Sequence, residues 1–214
     1  MSAAVAAPAP PSPLDVYRDD GPLAHALAAA GARLPVPAAA LALAAVLPLL
    51  AAIAIEGDGA SDALAGAVVG WAILAGGLSR GRPERGSFRW LVPPVLRLAE
   101  YAGLLWIGAL EGADGLPAAW ALLAALAFRH YDLVYRLRHR GVTPARWVDL
   151  AGLGWDGRLL LGYVLLLAGA LPVAFFVLAA LLAAVFVGES VAGWTGTVRT
   201  QQTAVYEEEE DEGQ

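Results

Sequence analysis

Apolar residues run along this chain in long blocks with short polar or glycine-rich breaks between them, and most blocks are close to the length a helix needs to cross a bilayer. Residues 36–55 (VPAAALALAAVLPLLAAIAI) match a hydrocarbon core about 30 Å thick at about 1.5 Å per residue, with Pro48 a candidate kink. Residues 61–78 form a second, Gly-rich block in which Gly66, Gly70, Gly76 and Gly77 permit close helix approach. Residues 90–110 are a third, flanked by aromatic residues but carrying Arg97 and Glu100. A fourth stays apolar over 116–128 and continues as a charged helix until Gly141. The pattern over 157–194 is too long for one span and breaks at Gly169-Ala170-Leu171-Pro172, so it reads as a hairpin of two helices. Ahead of these, Leu23, Leu27, Ala30 and Leu34 recur at helical spacing over 22–34, with Asp20 as N-cap and Pro22 in the first turn.

The expected fold is therefore an all-α integral membrane six-helix bundle with a short N-terminal juxtamembrane amphipathic helix. The domain expected is a single unit over 14–194, between a Pro-rich disordered tail at 1–13 and an acidic disordered tail at 195–214. Composition agrees: 58% of residues are hydrophobic and 16% charged, with mean hydropathy +0.60, whereas soluble domains carry about a quarter charged residues. That balance argues against a soluble enzyme. The absence of cysteine excludes disulfides, thiolate metal sites and cysteine nucleophiles, and the net charge of −6 argues against nucleic acid as a partner.

Charge placement sets the expected orientation, since basic residues near span ends stay cytoplasmic. All basic residues are arginines. Arg18 and Arg33 precede the first span; Arg80, Arg82, Arg85 and Arg89 fill the second loop; Arg129, Arg136, Arg138, Arg140, Arg146 and Arg158 belong to the fourth; Arg199 follows the last. The intervening loops carry Glu56 and Asp58, or Glu111 and Asp114, and no arginine. A multi-pass protein of the plasma membrane with both termini cytoplasmic follows. Trp90, Trp147, Trp155 and Trp194 then mark the inner interface, and Trp106 and Trp120 the outer leaflet.

Ionisable groups at depth are costly and point to function by default. Arg97 and Glu100 share one face at i and i+3, about 10 Å inside Trp90. They form either a self-neutralising pair or part of a site. Arg129, Asp132, Arg136 and Arg140 make a charged stripe on the fourth helix, read either as a solvated extension meeting anionic lipid or as part of a phosphate site with arginine forks. Glu189 lies at similar depth. Arg97, Glu100, Arg129, Asp132, Arg136 and Glu189 are thus the candidate ligand-binding group for a phosphate or lipid headgroup, converging from three helices. The loop 142–156 suits a short interfacial helix, with Asp156 as a helix cap. His25, His130 and His139 are too scattered for a histidine metal site or a Ser-His-Asp triad, so no metal, no cofactor and no catalytic residue is assigned.

The segments WLVPPVLRLAEYAGLLW, AFRHYDLVYRLRHRG, GWDGRLLLGYVLLLAGALP and VFVGESVAGW resemble an uncharacterised family of multi-pass membrane domains of high-GC Gram-positive bacteria. Members are often fused behind a CDP-alcohol phosphatidyltransferase domain. The resemblance covers roughly residues 14–194 and implies a link to phospholipid or inositol-phosphate synthesis, with a CDP-alcohol phosphatidyltransferase as partner. The six-span layout is also similar to that enzyme fold, but its pattern D-G-x2-A-R-x8-G-x3-D-x3-D is absent. None of Asp58-Gly59, Asp114-Gly115 and Asp156-Gly157 continues it, and transferase chemistry carries over to no residue.

Three classes remain. The first is a non-catalytic membrane protein that binds anionic lipid or a phosphorylated ligand at the cytoplasmic leaflet. The second is an unrecognised enzyme of lipid-linked phosphate transfer using Glu100, Asp132 and Glu189, and the third a small transporter, for which a homodimer would be expected.

Overall fold

A computed structural model describes residues 13–82, 88–140 and 146–212, and every regular element among them is helical. In chain order these are α1 (Pro13–Arg18), α2 (Pro22–Gly31), α3 (Ala38–Glu56), α4 (Asp62–Arg80), α5 (Val92–Glu111), α6 (Gly115–Arg140), α7 (Arg146–Ala151), α8 (Gly154–Leu167) and α9 (Leu171–Glu212), with 3-10 turns at Gly57–Gly59 and Arg89–Leu91. A helix stands at each of the six apolar blocks. Among the described residues three stretches, Ala38–Gly59, Asp62–Arg80 and Leu171–Thr195, are by length and composition able to cross a membrane. Helix α5 carries Arg97 and Glu100, the second half of α6 is charged, and the 14 residues of α8 reach only about 21 Å.

Local chemistry explains the boundaries. Helix α3 starts beyond Pro37 and ends at Gly57, whose φ of +56° an L side chain rarely adopts. It runs through Pro48 without a break. Ser61 caps α4 by accepting from the Leu64 amide at 3.3 Å. The α8–α9 hairpin closes as a Schellman turn: Gly169 (φ +62°) donates to the Leu166 carbonyl and Ala170 to that of Leu165.

Helix α5 packs on α3, α6 and α8; α3 also packs on α4, and α6 on α9. The buried centre is built from Leu49, Leu96, Leu104, Ile107, Leu122, Leu126, Leu159, Phe175 and Phe186. Helix α2 lies on α4 so closely that a Cβ on Gly31 would overlap the Leu78 carbonyl, and one on Gly81 the Ala28 carbonyl. Of the glycines singled out from sequence, Gly66, Gly76 and Gly77 face Tyr163, Trp155 and Leu27, whereas Gly70 meets nothing within 4 Å.

Several expectations change. Asp20 is not the cap of α2: Gly21 is the N-cap residue, and its side-chain-less position is served from elsewhere. Trp155 does not mark an interface but is fully buried, its ring filling the space over Gly76. Trp106 is buried too, donating to the Gly57 carbonyl at 2.7 Å, while Trp120 is exposed. Of the loop 142–156, where a short interfacial helix is expected, residues 142–145 lie outside the described residues, 146–151 form α7 with Trp147 exposed and Val148 buried, and 154–156 open α8. The backbone expected to be disordered beyond residue 194 is helical to Glu212, making α9 a 42-residue helix about 63 Å long. Residues 1–12 of the expected N-terminal tail lie outside the described residues.

Candidate functional site

The arginines gather at one end of the bundle, where the turn between α1 and α2 is inserted among α4, α5 and α8. Asp19 and Asp20 form that turn. Asp19 holds a left-handed backbone (φ +50°), a conformation that Asp tolerates better than most side chains. Its carboxylate meets Arg158 Nη2 at 2.6 Å, Arg97 Nη1 at 3.3 Å and His130 Nε2 at 3.5 Å. Glu100, fully buried, takes Arg97 Nη1 at 2.8 Å and Arg158 Nε at 2.6 Å. Arg158 also donates to the Gly152 carbonyl, and Arg97 Nη2 to that of Tyr17 at 2.9 Å. Two guanidinium groups thus face two carboxylates, and the group closes electrically on itself. Tyr101 Oη lies 2.6 Å from His130 Nδ1, so a chain Tyr101–His130–Asp19 runs into the pair.

Asp20 anchors the other side of the turn. It accepts from Arg18 Nε at 2.6 Å, Arg80 Nη1 at 2.8 Å and the Trp155 indole at 2.9 Å, while Arg18 Nη2 also donates to Ser79 at 2.9 Å. Burial works against the charge on both aspartates, but neighbouring cations win. Arg158 and Arg97, with the His130 contact, hold Asp19 well below the usual carboxylate range, and Arg18, the indole and Arg80 lower Asp20. Immediately beyond, the buried Asp156 reaches from the first turn of α8 to the start of α2. It accepts from the amides of Gly21 (2.5 Å), Leu23 (2.8 Å) and Ala24 (3.1 Å). Asp156 is a cap, as its sequence context indicates, but of a helix about 130 residues earlier in the chain.

The second cluster joins α6 to α9. Arg136 forks onto Glu189 with both Nη atoms, at 2.7 and 2.6 Å, and its Nη2 meets Asp132 at 2.6 Å. Ser190 donates to Asp132 at 2.9 Å. Arg129 lies 3.8 Å from Glu189 and over the Phe186 ring at 5.3 Å to its centroid. The six candidates from sequence therefore divide into two sets. Arg97 and Glu100 belong with Asp19 and Arg158, whereas Arg129, Asp132, Arg136 and Glu189 form a separate, internally balanced lock. Neighbouring residues on α6 point different ways, His130 into the first set and Arg129 into the second.

Beside the first cluster opens a cavity of about 260 Å³, lined by Tyr17 of α1, Trp90, Pro93, Pro94 and Arg97 at the start of α5, and His130, Leu133 and Val134 of α6. Among the described residues no group of three or more His, Asp and Glu is placed to hold a metal ion.

A family of unknown function, DUF5941, matches residues 11–212. The chain belongs to DUF5941. That match spans all the helices named above, including the α1–α2 turn and both charged clusters. No curated protein and no solved structure matches this DUF5941 chain.

Sequence reasoning missed Asp19, Asp20, Arg158 and Tyr101 as members of these clusters. The run Arg18-Asp19-Asp20-Gly21-Pro22 does carry a turn signal, but its partners stand 60 to 139 residues away, beyond the reach of local spacing.

Proposed function

We propose that this DUF5941 chain is a non-catalytic polytopic membrane protein that binds anionic lipid, or another phosphorylated ligand, at the cytoplasmic leaflet. On this reading α5, α6 and α8 cross with the three apolar helices, giving six spans with both termini cytoplasmic. Their polar residues are covered by neighbours: Glu100 and Arg158 are buried against each other, and Arg136 against Glu189.

The supporting observation is the gathering of Arg18, Arg80, Arg97, Arg129, Arg136 and Arg158 at one end of an otherwise apolar bundle. Arg18, Arg129, Arg136 and Arg158 are buried there, and their charge is balanced by Asp19, Asp20, Glu100, Asp132 and Glu189, so an anionic lipid would be drawn by donors left at the rim of these clusters rather than by net charge. Within the candidate group the geometry favours Arg97, because Arg136 is already committed bidentately to Glu189. The link to phospholipid or inositol-phosphate synthesis, with a CDP-alcohol phosphatidyltransferase as partner, rests on the sequence resemblance alone.

The test is native mass spectrometry of the detergent-purified protein offered equal amounts of phosphatidylglycerol and phosphatidylethanolamine. Preferential retention of the anionic lipid is expected. Equal retention of both, or of neither, would remove the reading.

A further inference from the structure

Arg97 is held at the rim of the first cluster, and its donors are not all used. Nη1 serves Asp19 and Glu100 and Nη2 serves the Tyr17 carbonyl, so of the five guanidinium N–H groups the Nε–H and one on Nη2 have no acceptor among the described residues. Its side chain is 15% exposed, and Arg97 is one of the residues that line the 260 Å³ cavity. His130 lines the same cavity, but both its ring nitrogens face protein groups. Of these two polar residues, Arg97 is the one with unused donors among the described residues.

The rest of the cavity is apolar or aromatic. Pro93 and Pro94 leave the first turn of α5 without amide donors on that wall, and Leu133 and Val134 form the opposite wall. Trp90 (60% exposed) and Val134 (46% exposed) stand on its rim. Such walls offer water no hydrogen-bond partners, whereas a hydrocarbon chain fills them by close apolar contact. The volume falls below the roughly 300–1,000 Å³ of pockets that enclose a whole drug-sized ligand, so it suits a stretch of one chain, with the remainder of the molecule outside. An apolar trough ending at one guanidinium with donors to spare is complementary to an amphiphile with an anionic head.

We propose that the trough between the start of α5 and the middle of α6 seats one acyl chain of an anionic glycerophospholipid, with the lipid phosphate held by Arg97. This rests on the inner-leaflet lipid binding proposed above and gives it a location. The Asp19–Glu100–Arg158 group is the frame that fixes the Arg97 fork, and the Arg136–Glu189 lock takes no part. The charge on Arg97 and Arg158 is already balanced by Asp19 and Glu100, so the phosphate gains by hydrogen bonding rather than by neutralising a bare cation, and the chain is needed for affinity.

Native mass spectrometry of the full chain in detergent tests this, with dioleoyl phosphatidate, dioleoylglycerol and inorganic phosphate as separate probes. The variants are Arg97→Gln and Val134→Trp, the second filling the trough from an exposed position so that its melting temperature should match the wild type. Phosphatidate should be retained at least tenfold more than dioleoylglycerol, inorganic phosphate should not be retained, and each variant should lose phosphatidate at least tenfold. If Arg97→Gln fails to fold, Val134→Trp decides. Undiminished phosphatidate retention by Val134→Trp overturns the trough while leaving anionic-lipid binding elsewhere on the protein intact. Inorganic phosphate binding as well as phosphatidate overturns the acyl-chain assignment and points to a free phosphorylated ligand. Equal retention of phosphatidate and dioleoylglycerol by the wild type overturns both this site and the anionic-lipid binding on which it rests.

Discussion

Asp156 offers the sharpest perturbation, because one carboxylate serves three amides at the start of α2. Asp156→Ala strips the acceptor from Gly21, Leu23 and Ala24. Losing an ordinary N-cap costs about 0.5–2 kcal/mol. Here the Gly21 and Ala24 residues are buried, so water does not readily replace the carboxylate, and each orphaned buried donor costs about 1–3 kcal/mol. Together these give a loss of about 3 kcal/mol localised to α2, which is about two powers of ten in its opening equilibrium. Hydrogen exchange followed by mass spectrometry in detergent, on peptides spanning residues 17–31, reads that quantity directly. Asp156→Ala should raise exchange there about a hundredfold while α3 and α9 stay protected. Asp156→Asn, which keeps one acceptor oxygen, should fall between it and the wild type. Unchanged protection in Asp156→Ala would refute the assignment of this carboxylate as the cap of α2.

Asp19 predicts a pH signature. Its folded-state pKa is depressed by Arg158, Arg97 and His130 against the opposing effect of burial, so its contribution is complete above the ordinary aspartate value of about 3.9 and is lost as pH falls from there through the folded value. The stability gap between wild type and Asp19→Asn should therefore be widest at pH 5–7 and narrow below about pH 4; a gap constant from pH 7 to pH 3 would contradict it. Gly31→Ala places a methyl on the Leu78 backbone carbonyl, which has no side-chain freedom to yield, and should cost about 1–3 kcal/mol or more in thermal stability. Gly70→Ala, with nothing within 4 Å, should be neutral or stabilising by up to about 1 kcal/mol; equal effects would mean that α2 does not approach α4 this closely. Arg136→Ala leaves Glu189 and Asp132 without their shared partner and should lower stability by about 3 kcal/mol or more without changing lipid preference. Loss of lipid retention at unchanged melting temperature would move the ligand site to the α6–α9 lock.

The helices were legible because their signals are local. Blocks of Ala, Leu and Val have the length of α3 and α4, Gly57, Gly112 and Gly169 stop helices with positive φ, and Pro172 restarts the chain after the hairpin. The division of the six candidate residues was not legible, because helical spacing places Arg129 and Asp132 on one face but says nothing of which helix covers that face. Trp155 illustrates the same limit. An exposed-ring reading is natural for a tryptophan near a span end, and only the absent side chain at Gly76, about 80 residues earlier in the chain, gives the indole its place in the core.

One signal in the sequence could have carried the α1–α2 turn inward. If 90–110 and 157–194 are membrane helices, Arg97 and Arg158 stand near the beginnings of two of them and Arg80 near the end of a third; of the two carboxylates at that depth, Glu100 shares a helix face with Arg97, while Glu189 stands at the far end of its stretch from Arg158. Guanidinium groups packed among apolar helices need counter-charge at close range, since leaving one buried and unpaired costs several kcal/mol. Two further carboxylates are required, and they must come from a loop at the same end. Asp19 and Asp20 stand side by side in such a loop, ahead of a Gly-Pro that turns the chain, and both are drawn in: Asp19 to Arg97 and Arg158, Asp20 to Arg18 and Arg80. Charge accounting helix by helix thus identifies the inserted turn where periodicity does not. It also places Arg97, which keeps unused donors among the described residues, at the rim of this balanced group and beside the apolar trough.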